Sequence, residues 1–378
     1  MSEPAPMSAA ELRTRQVDPS AIEHELSALW MAEAEARQQA QTPMVPLART
    51  LLLSLVIFAP DRAAAERARS LAVGLTRRQP LRSIILVAGD RSAAEGLEAW
   101  VSIQCESPLH ADEQVCGEHI VLEAQGASSL DLPGLVLPLL LPNVPSFLWW
   151  QQGNPFTHPI LAHLNPAVDR LIVDSLTFAT PLADFFDVAR ALPDPYFPAI
   201  VSDLSWARLA PWRYLTAHIF DPEATRPYLD SLDLVRLSYV TGSPVLAWLF
   251  GGWLASRLKW QPAEFDVLRV RFAGGQVIEF SAIPMGEAAP GDFAGVQLMG
   301  RDGATFEVMR APNACAVIRL DAGGLHTERM LPLRDERLSE WLGHELNRLH
   351  PSPTYEAAVR LIGEAASRAS ADGGLPEG

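Results

Sequence analysis

Asp174, Asp184 and Asp187 lie at and after the end of an apolar run, "RLIVDS", where α/β enzymes often place carboxylates for acid–base work. No base, nucleophile or metal partner stands near them in sequence, so helix capping and a place on the solvated surface are the expected roles. His158 and His163 come next, as metal ligands. Five positions apart on a helix, they diverge by about 140° around the axis, a poor arrangement for holding one ion. HExxH, GxSxG, GxGxxG and GxxxxGK[ST] are all absent. Lys259, the only lysine, sits in "SRLKWQP" with no Schiff-base or phosphate-loop motif around it. The turn "VAGDRSAAEG" could hold a phosphate through Arg91 and a helix N-terminus. That keeps one enzymatic alternative open: a sugar-phosphate-binding enzyme or sensor using the N-terminal half. No residue is assigned a catalytic, metal-binding or cofactor-binding role.

The three cysteines form no CxxC and no metal spacing. Cys105 and Cys116 fall on two neighbouring predicted strands. If those strands pair, the thiols can face each other as a redox-sensitive disulfide; otherwise they are two separate buried thiols. The low, odd count fits a reducing cytoplasm.

Aromatic and arginine residues stand out more than acid–base groups. "VPSFLWWQQGNP" carries adjacent Trp149 and Trp150, whose side chains must point to opposite faces of a strand. Burial of each ring is worth about 4–6 kcal/mol, so both are expected to be covered, by a second layer of this chain or by another protein. "DLSWARLAPWR" holds Trp206, Arg208, Trp212 and Arg213, residue types enriched at interface hot spots. These six residues are the candidate partner-binding set, with burial in the core as the plain alternative.

Net charge is −15, which argues against a nucleic-acid or anionic-membrane partner. Two long uncharged stretches, 132–168 and 237–256, are broken by prolines or by the turn "TGSP" and read as buried elements rather than membrane spans. The N-terminus lacks the apolar segment of a secretory signal.

The elements expected to position these residues alternate first and then meander. "PSAIEHELSALW" starts a helix with Ser20 as N-cap and Ile22, Leu26, Leu29 and Trp30 as its apolar stripe. Strands at 51–58, 82–89, 100–106, 118–124, 146–150 and 170–175 interleave with helices at 61–77, near 126–141, at 158–164 and at 179–192. This order predicts a mostly parallel, Rossmann-like α/β sheet over residues 46–200, preceded by a helix and linker at 1–45. Residues 201–378 predict an α+β domain. It has helical segments after Pro211 and from Pro222 (Asp221 as N-cap), an apolar helix from Pro244 and an antiparallel meander turned at Gly-Gly and Asp-Gly pairs. Helices near 335–349 and 353–369 close it.

With these segments laid out, "PSFLWW", "RLIVDS" followed by Phe178, "DLSWARLAPWR", "GGWLASRLKW" and "LSEWLGHELNRLHPSPTYEAAV" together resemble the OpcA family, the glucose-6-phosphate dehydrogenase assembly proteins of cyanobacteria and actinobacteria. The likeness runs in order from about residue 50 to about residue 367. It implies a non-catalytic partner protein, and no cofactor is expected. Such a protein binds glucose-6-phosphate dehydrogenase, promotes its active oligomer and acts as an allosteric activator in the oxidative pentose phosphate pathway, in some members under thiol control. The resemblance fixes neither a redox cysteine nor the contact surface.

Overall fold

A computed structural model describes residues 18–39, 49–89, 94–106, 115–126, 131–192, 194, 196–266, 268–284, 292–333 and 337–371. The chain divides into two compact units. The first holds Met1–Val173 with Phe197–Val201 and Leu342–Leu349; the second holds Asp174–Tyr196, Ser202–Trp341 and His350–Gly378.

In the first unit, β1 (Leu53–Ala59) and β2 (Leu81–Ala88) are largely apolar and buried on both faces, as central parallel strands must be. With β3 (Gly96–Glu106), β4 (Val115–Gln125), β5 (Ser146–Trp150), β6 (Arg170–Val173) and β7 (Ile200–Asp203) they form a seven-stranded sheet ordered β3-β4-β2-β1-β5-β6-β7. β7 starts in this unit and ends in the second. The pairs β1·β2, β1·β5, β2·β4 and β5·β6 are parallel, while β3 runs antiparallel to its neighbour β4. Leaving β3 aside, this is the doubly wound order with β1 at the centre. α1 (Pro19–Gln39) buries Ile22, Leu26 and Trp30 and leaves Leu29 half-buried. Its cap is Asp18 rather than the expected Ser20: Asp18 Oδ1 accepts the Ser20 N–H at 2.9 Å, because Pro19 is already preset for the first helical turn. α2 (Arg62–Thr76) turns an alanine stripe toward the sheet. The helix expected near 126–141 shrinks to α3 (Leu132–Val136) and a 3-10 turn at Leu137–Leu139, since Pro138 cannot donate the next helical bond. α4 (Pro159–Leu164) follows β5.

The second unit carries α5 (Pro181–Ala191), α6 (Leu204–Arg208) and α7 (Ala210–His218) before β8 (Leu232–Val240) and α8 (Pro244–Leu258). β9 (Pro262–Asp266), β10 (Arg269–Phe272), β11 (Val277–Ile283), β12 (Phe293–Gly300), β13 (Thr305–Ala311), β14 (Cys315–Ala322) and β15 (Leu325–Pro332) complete an eight-stranded sheet, ordered β15-β14-β13-β12-β8-β11-β10-β9. Only β8·β11 is parallel. The predicted Gly-Gly and Asp-Gly turns are present, with Gly275, Gly303 and Gly324 at positive φ. α9 (Leu338–Leu346) begins in this unit and ends in the first, and α10 (Pro353–Ala371) returns to the second. α8 is buried along most of its length and packs on β8, β11 and α10. Gly252 permits the last contact: a Cβ there would lie 2.7 Å from the Ala358 carbonyl oxygen. The helix expected from Pro222 does not form. Pro227 withholds an N–H, only a 3-10 turn at Arg226–Asp230 results, and Asp221 pairs with His218 at 2.8 Å instead of capping a helix.

Candidate functional site

In a doubly wound sheet the ligand crevice lies beyond the carboxyl ends of the strands, where the order reverses. Here that point is between β1 and β5, whose last paired residues are Phe58 and Trp150. Their rings stack 3.9 Å apart at an interplanar angle of 9°. His158, the residue that caps α4, closes on both, at 4.9 Å from Phe58 and 5.2 Å from Trp150. Trp150 is 2% exposed. The adjoining turn, Pro60-Asp61, contains no glycine, and Asp61 Oδ1 accepts the Ala64 N–H at 2.7 Å. A carboxylate therefore occupies the α2 N-terminus, where a dinucleotide's pyrophosphate would need the same donors and dipole. The residues present do not fit the dinucleotide that this topology commonly holds.

The second cluster lies wholly in the second unit. Asp203 ends β7 and caps α6: its Oδ1 accepts the Ser205 N–H at 2.9 Å and the Ser175 N–H at 3.1 Å. Neither Asp203 Oδ2 nor Ser175 Oγ completes a hydrogen bond of normal geometry. Burial, reinforced by the neighbouring Asp174 carboxylate, pushes the Asp203 pKa up to about 6. Asp174 accepts two bonds from Arg208, at 2.6 and 2.7 Å. The Arg208 guanidinium lies 4.6 Å over the Trp341 ring, and that of Arg213 lies 3.6 Å over Trp206. Arg213 also donates to the Trp206 carbonyl at 2.8 Å, so these two meet despite the break between α6 and α7 at Leu209. Trp206 contacts Tyr355, and Trp212 sits edge-on to Phe293 beneath Arg310. The arrangement orders arginines over aromatic rings. It presents no nucleophile–base pair.

The candidate set is thus divided. Trp206, Arg208, Trp212 and Arg213 form one array, and Trp149 and Trp150 lie in β5 of the other unit. All four tryptophan rings are covered by this chain, at 3%, 2%, 4% and 2% exposure for Trp149, Trp150, Trp206 and Trp212. Each of these rings is packed against other residues of this chain. Arg208 and Arg213 stay half-exposed. Cys105 and Cys116 stand directly opposite across β3·β4, with Cα atoms 4.0 Å apart, and form a disulfide; Cys315 is free. Asp184 accepts the Thr180 N–H at the start of α5, and Asp187 pairs with Arg190. Among the described residues no group of three His, Cys, Asp or Glu could hold a metal ion. Arg91 lies outside the described residues.

Sequence reasoning missed Asp203, Ser175, Trp341 and Tyr355. It also missed a buried ion network in the first unit. Glu118, fully buried, takes Arg82 at 2.7 Å, Arg49 at 2.6 Å and the Trp30 Nε1–H at 2.7 Å. A charge inside otherwise apolar strands, "LRSIILVA" and "EHIVLEA", was the available signal.

Two family models match. One, described as the glucose-6-phosphate dehydrogenase subunit N-terminal domain, covers residues 72–190; the other, its C-terminal domain, covers 199–359. Three curated relatives are provisionally named OxPP cycle protein OpcA. The protein of Synechocystis sp. is 25% identical over 287 residues, 71% of this chain and 60% of its own length. That of Synechococcus elongatus is 28% identical over 295 residues, 72% of this chain and 64% of its own. That of Nostoc punctiforme is 34% identical over 186 residues, 47% and 39%. The chain therefore spans less than two thirds of the length of the curated relatives it matches. Among solved structures, levoglucosan dehydrogenase in complex with NADH and levoglucosan aligns with a TM-score of 0.47 at 11% identity, over 85% of this chain and 97% of that one. An oxidoreductase from Sinorhizobium meliloti aligns with a TM-score of 0.40 at 12% identity, over 85% and 90%. With the two domain models falling in order on either side of residue 195, the chain belongs to the OpcA family of glucose-6-phosphate dehydrogenase assembly proteins.

Proposed function

We propose that this chain is a non-catalytic partner of glucose-6-phosphate dehydrogenase that promotes the enzyme's active oligomer. The observation that carries the reading is the crevice between β1 and β5, filled by Phe58, Trp150 and His158 with Asp61 over the adjoining helix end. A doubly wound sheet whose crevice end is packed with aromatic rings and whose adjoining helix end is capped by a carboxylate fits a binding role. The family description as a dehydrogenase subunit supplies the partner. The mechanism is a population shift: a 100-fold preference for the enzyme's active state supplies about 2.7 kcal/mol of coupling.

The contact surface is proposed on α7. Tyr214 is 68% exposed and stacks on exposed His218, with ring centroids 5.8 Å apart, and half-exposed Arg213 precedes it. Trp206 and Trp212 hold the helix from beneath. Tyrosine and arginine on a rigid helix are the residue types that dominate interface energetics. Purified alone, the chain is expected to turn over no pentose-pathway substrate. Mixed with its cognate dehydrogenase, it should comigrate on size exclusion and raise kcat or lower KM. Tyr214→Ala should weaken that association roughly 30-fold, the loss of one hot spot of about 2 kcal/mol, with unchanged thermal unfolding. Turnover by the chain alone, or no association at micromolar concentration, overturns the reading.

A further inference from the structure

The eight-stranded sheet buries one face under its helices and leaves the other open to water. Along β10, the start of β11, the middle of β8, β12 from Val296 to Met299 and the start of β13, alternate residues are buried and half- or fully exposed, so the register fixes which side chains share the open face. One row crosses seven strands. From β15 to β12 it reads Glu328, Arg319, Glu307, Gln297; from β8 to β10 it continues Arg236, Glu279, Arg269. Its members are already paired. Arg319 meets Glu328 at 2.8 Å and Glu307 at 3.4 Å, Gln297 meets Glu307 at 2.7 Å, and Glu279 is held by Arg236 at 3.1 Å and by Arg269 at 2.9 Å. Each adjacent row has an apolar stretch where a water-facing sheet is normally polar: Met330, Val317 and Met309 on one side, before Gly295, Ser238 and Ser281, and Met299, Leu234 and Val277 on the other, between Thr305 and Arg271. Met330 is 63% exposed, and the other five apolar residues are half-exposed.

We infer that this open face is where two copies of the chain associate, face to face about a two-fold axis. Charge and area point to a second copy. The chain carries −15 overall, so copies repel except through a surface that is locally neutral. The charged row has three guanidiniums and three carboxylates. A two-fold axis through Gln297 sets the row against its own reverse, so Glu328 meets Arg269, Arg319 meets Glu279 and Glu307 meets Arg236 of the second copy. A strongly basic or acidic partner gains nothing from it. Eight strands at about 4.8 Å spacing, each about seven residues at about 3.4 Å, make a face of roughly 900 Å². Two such faces bury roughly 1,800 Å², the size of a standard stable interface. Burying pre-paired charges costs less than burying bare ones, and the flanking methionines adapt to a facing sheet.

The test is sedimentation equilibrium of the full chain alone, from about 1 to about 100 µM at physiological salt. The mass should double across that range. Met330→Asp should weaken the dimer at least roughly ten-fold without moving the monomer's thermal midpoint, and Arg319→Glu should weaken it at least as much while lowering that midpoint slightly, because it sets like charges opposite Glu328 and Glu307. Met31→Asp, 65% exposed on α1 of the other unit, should leave the dimer unchanged. A chain that stays monomeric at the highest concentration overturns the inference. So does a dimer indifferent to both sheet variants. No dehydrogenase is present, so the result stands apart from the partner reading above.

Discussion

Replacing Asp203 by asparagine should stabilise the protein at neutral pH and remove part of its pH dependence. Asp203 is 2% exposed, and its pKa rises from 3.8 to about 6, chiefly because burial disfavours the anion. Below about pH 4 the carboxyl is neutral in both folded and unfolded chains, and the native state bears no penalty. Between about 4 and 6 the unfolded chain ionises first, so stability falls by about 1.4 kcal/mol per pH unit. Above about 6 the native group must ionise as well, and roughly 3 kcal/mol has been lost by then. The Asp203→Asn side chain would keep what the acid does well: its amide oxygen can accept the Ser175 and Ser205 N–H groups, as Asp203 Oδ1 does at 3.1 and 2.9 Å. Its amide nitrogen can donate toward Ser175 Oγ, which has no regular partner in the native protein. Urea denaturation followed by tryptophan fluorescence at pH 4, 5, 6 and 7.5 reads the difference, with Trp206 on the helix that residue 203 caps. The variant should exceed the native protein by up to about 3 kcal/mol at pH 7.5 and match it near pH 3.5. A variant less stable at pH 7.5, or an offset that does not change with pH, would show that the Asp203 carboxylate sits there without electrostatic cost.

Other perturbations follow from packing and buried charge. Glu118→Gln should cost about 3–5 kcal/mol, because Arg82 (3% side-chain exposure) loses its most deeply buried counter-charge; denaturation and proteolytic release of α1 would both report it. Gly252→Ala and Gly74→Ala should act with opposite signs. At 252 a new Cβ would meet the Ala358 carbonyl at 2.7 Å and Ile362 at 2.8 Å, so overpacking of about 1–3 kcal/mol outweighs the gain in helix propensity. At 74, in α2, nothing lies within 4 Å, and the gain of about 0.5–1 kcal/mol should appear in full in the thermal midpoint.

Much of the fold was legible because the sequence signals are local. Continuous apolar runs gave β1 and β2, paired glycines gave the hairpins of the second sheet, and the spacing around "PVLAWLFGGWLASRL" gave α8. Three misreadings share one cause, proline. Pro138 and Pro227 each shorten an expected helix by removing a donor, and Pro19 moves a cap from Ser20 to Asp18. β7 was missed for a different reason: Ile200–Asp203 is four residues long and carries two polar ones, too short for any periodicity to show.

The site was less legible, for a reason particular to it. A missing glycine motif says that a familiar phosphate loop is absent, but it does not say what takes the space. Only the parallel pairing of β1 with β5 brings Phe58 against Trp150, ninety-two positions later in the chain, and only the turn into α4 swings His158 over both. The tryptophan pair posed a question of cover, and the sheet answers it on one side with the ring near the end of β1. Because that ring fills the place where doubly wound sheets commonly hold a ligand, the buried aromatic and the occupied crevice are one feature. Trimming Phe58 or Trp150 would open space there, yet it would not create a dinucleotide site, since the Asp61 carboxylate would still cap the donors that a pyrophosphate needs.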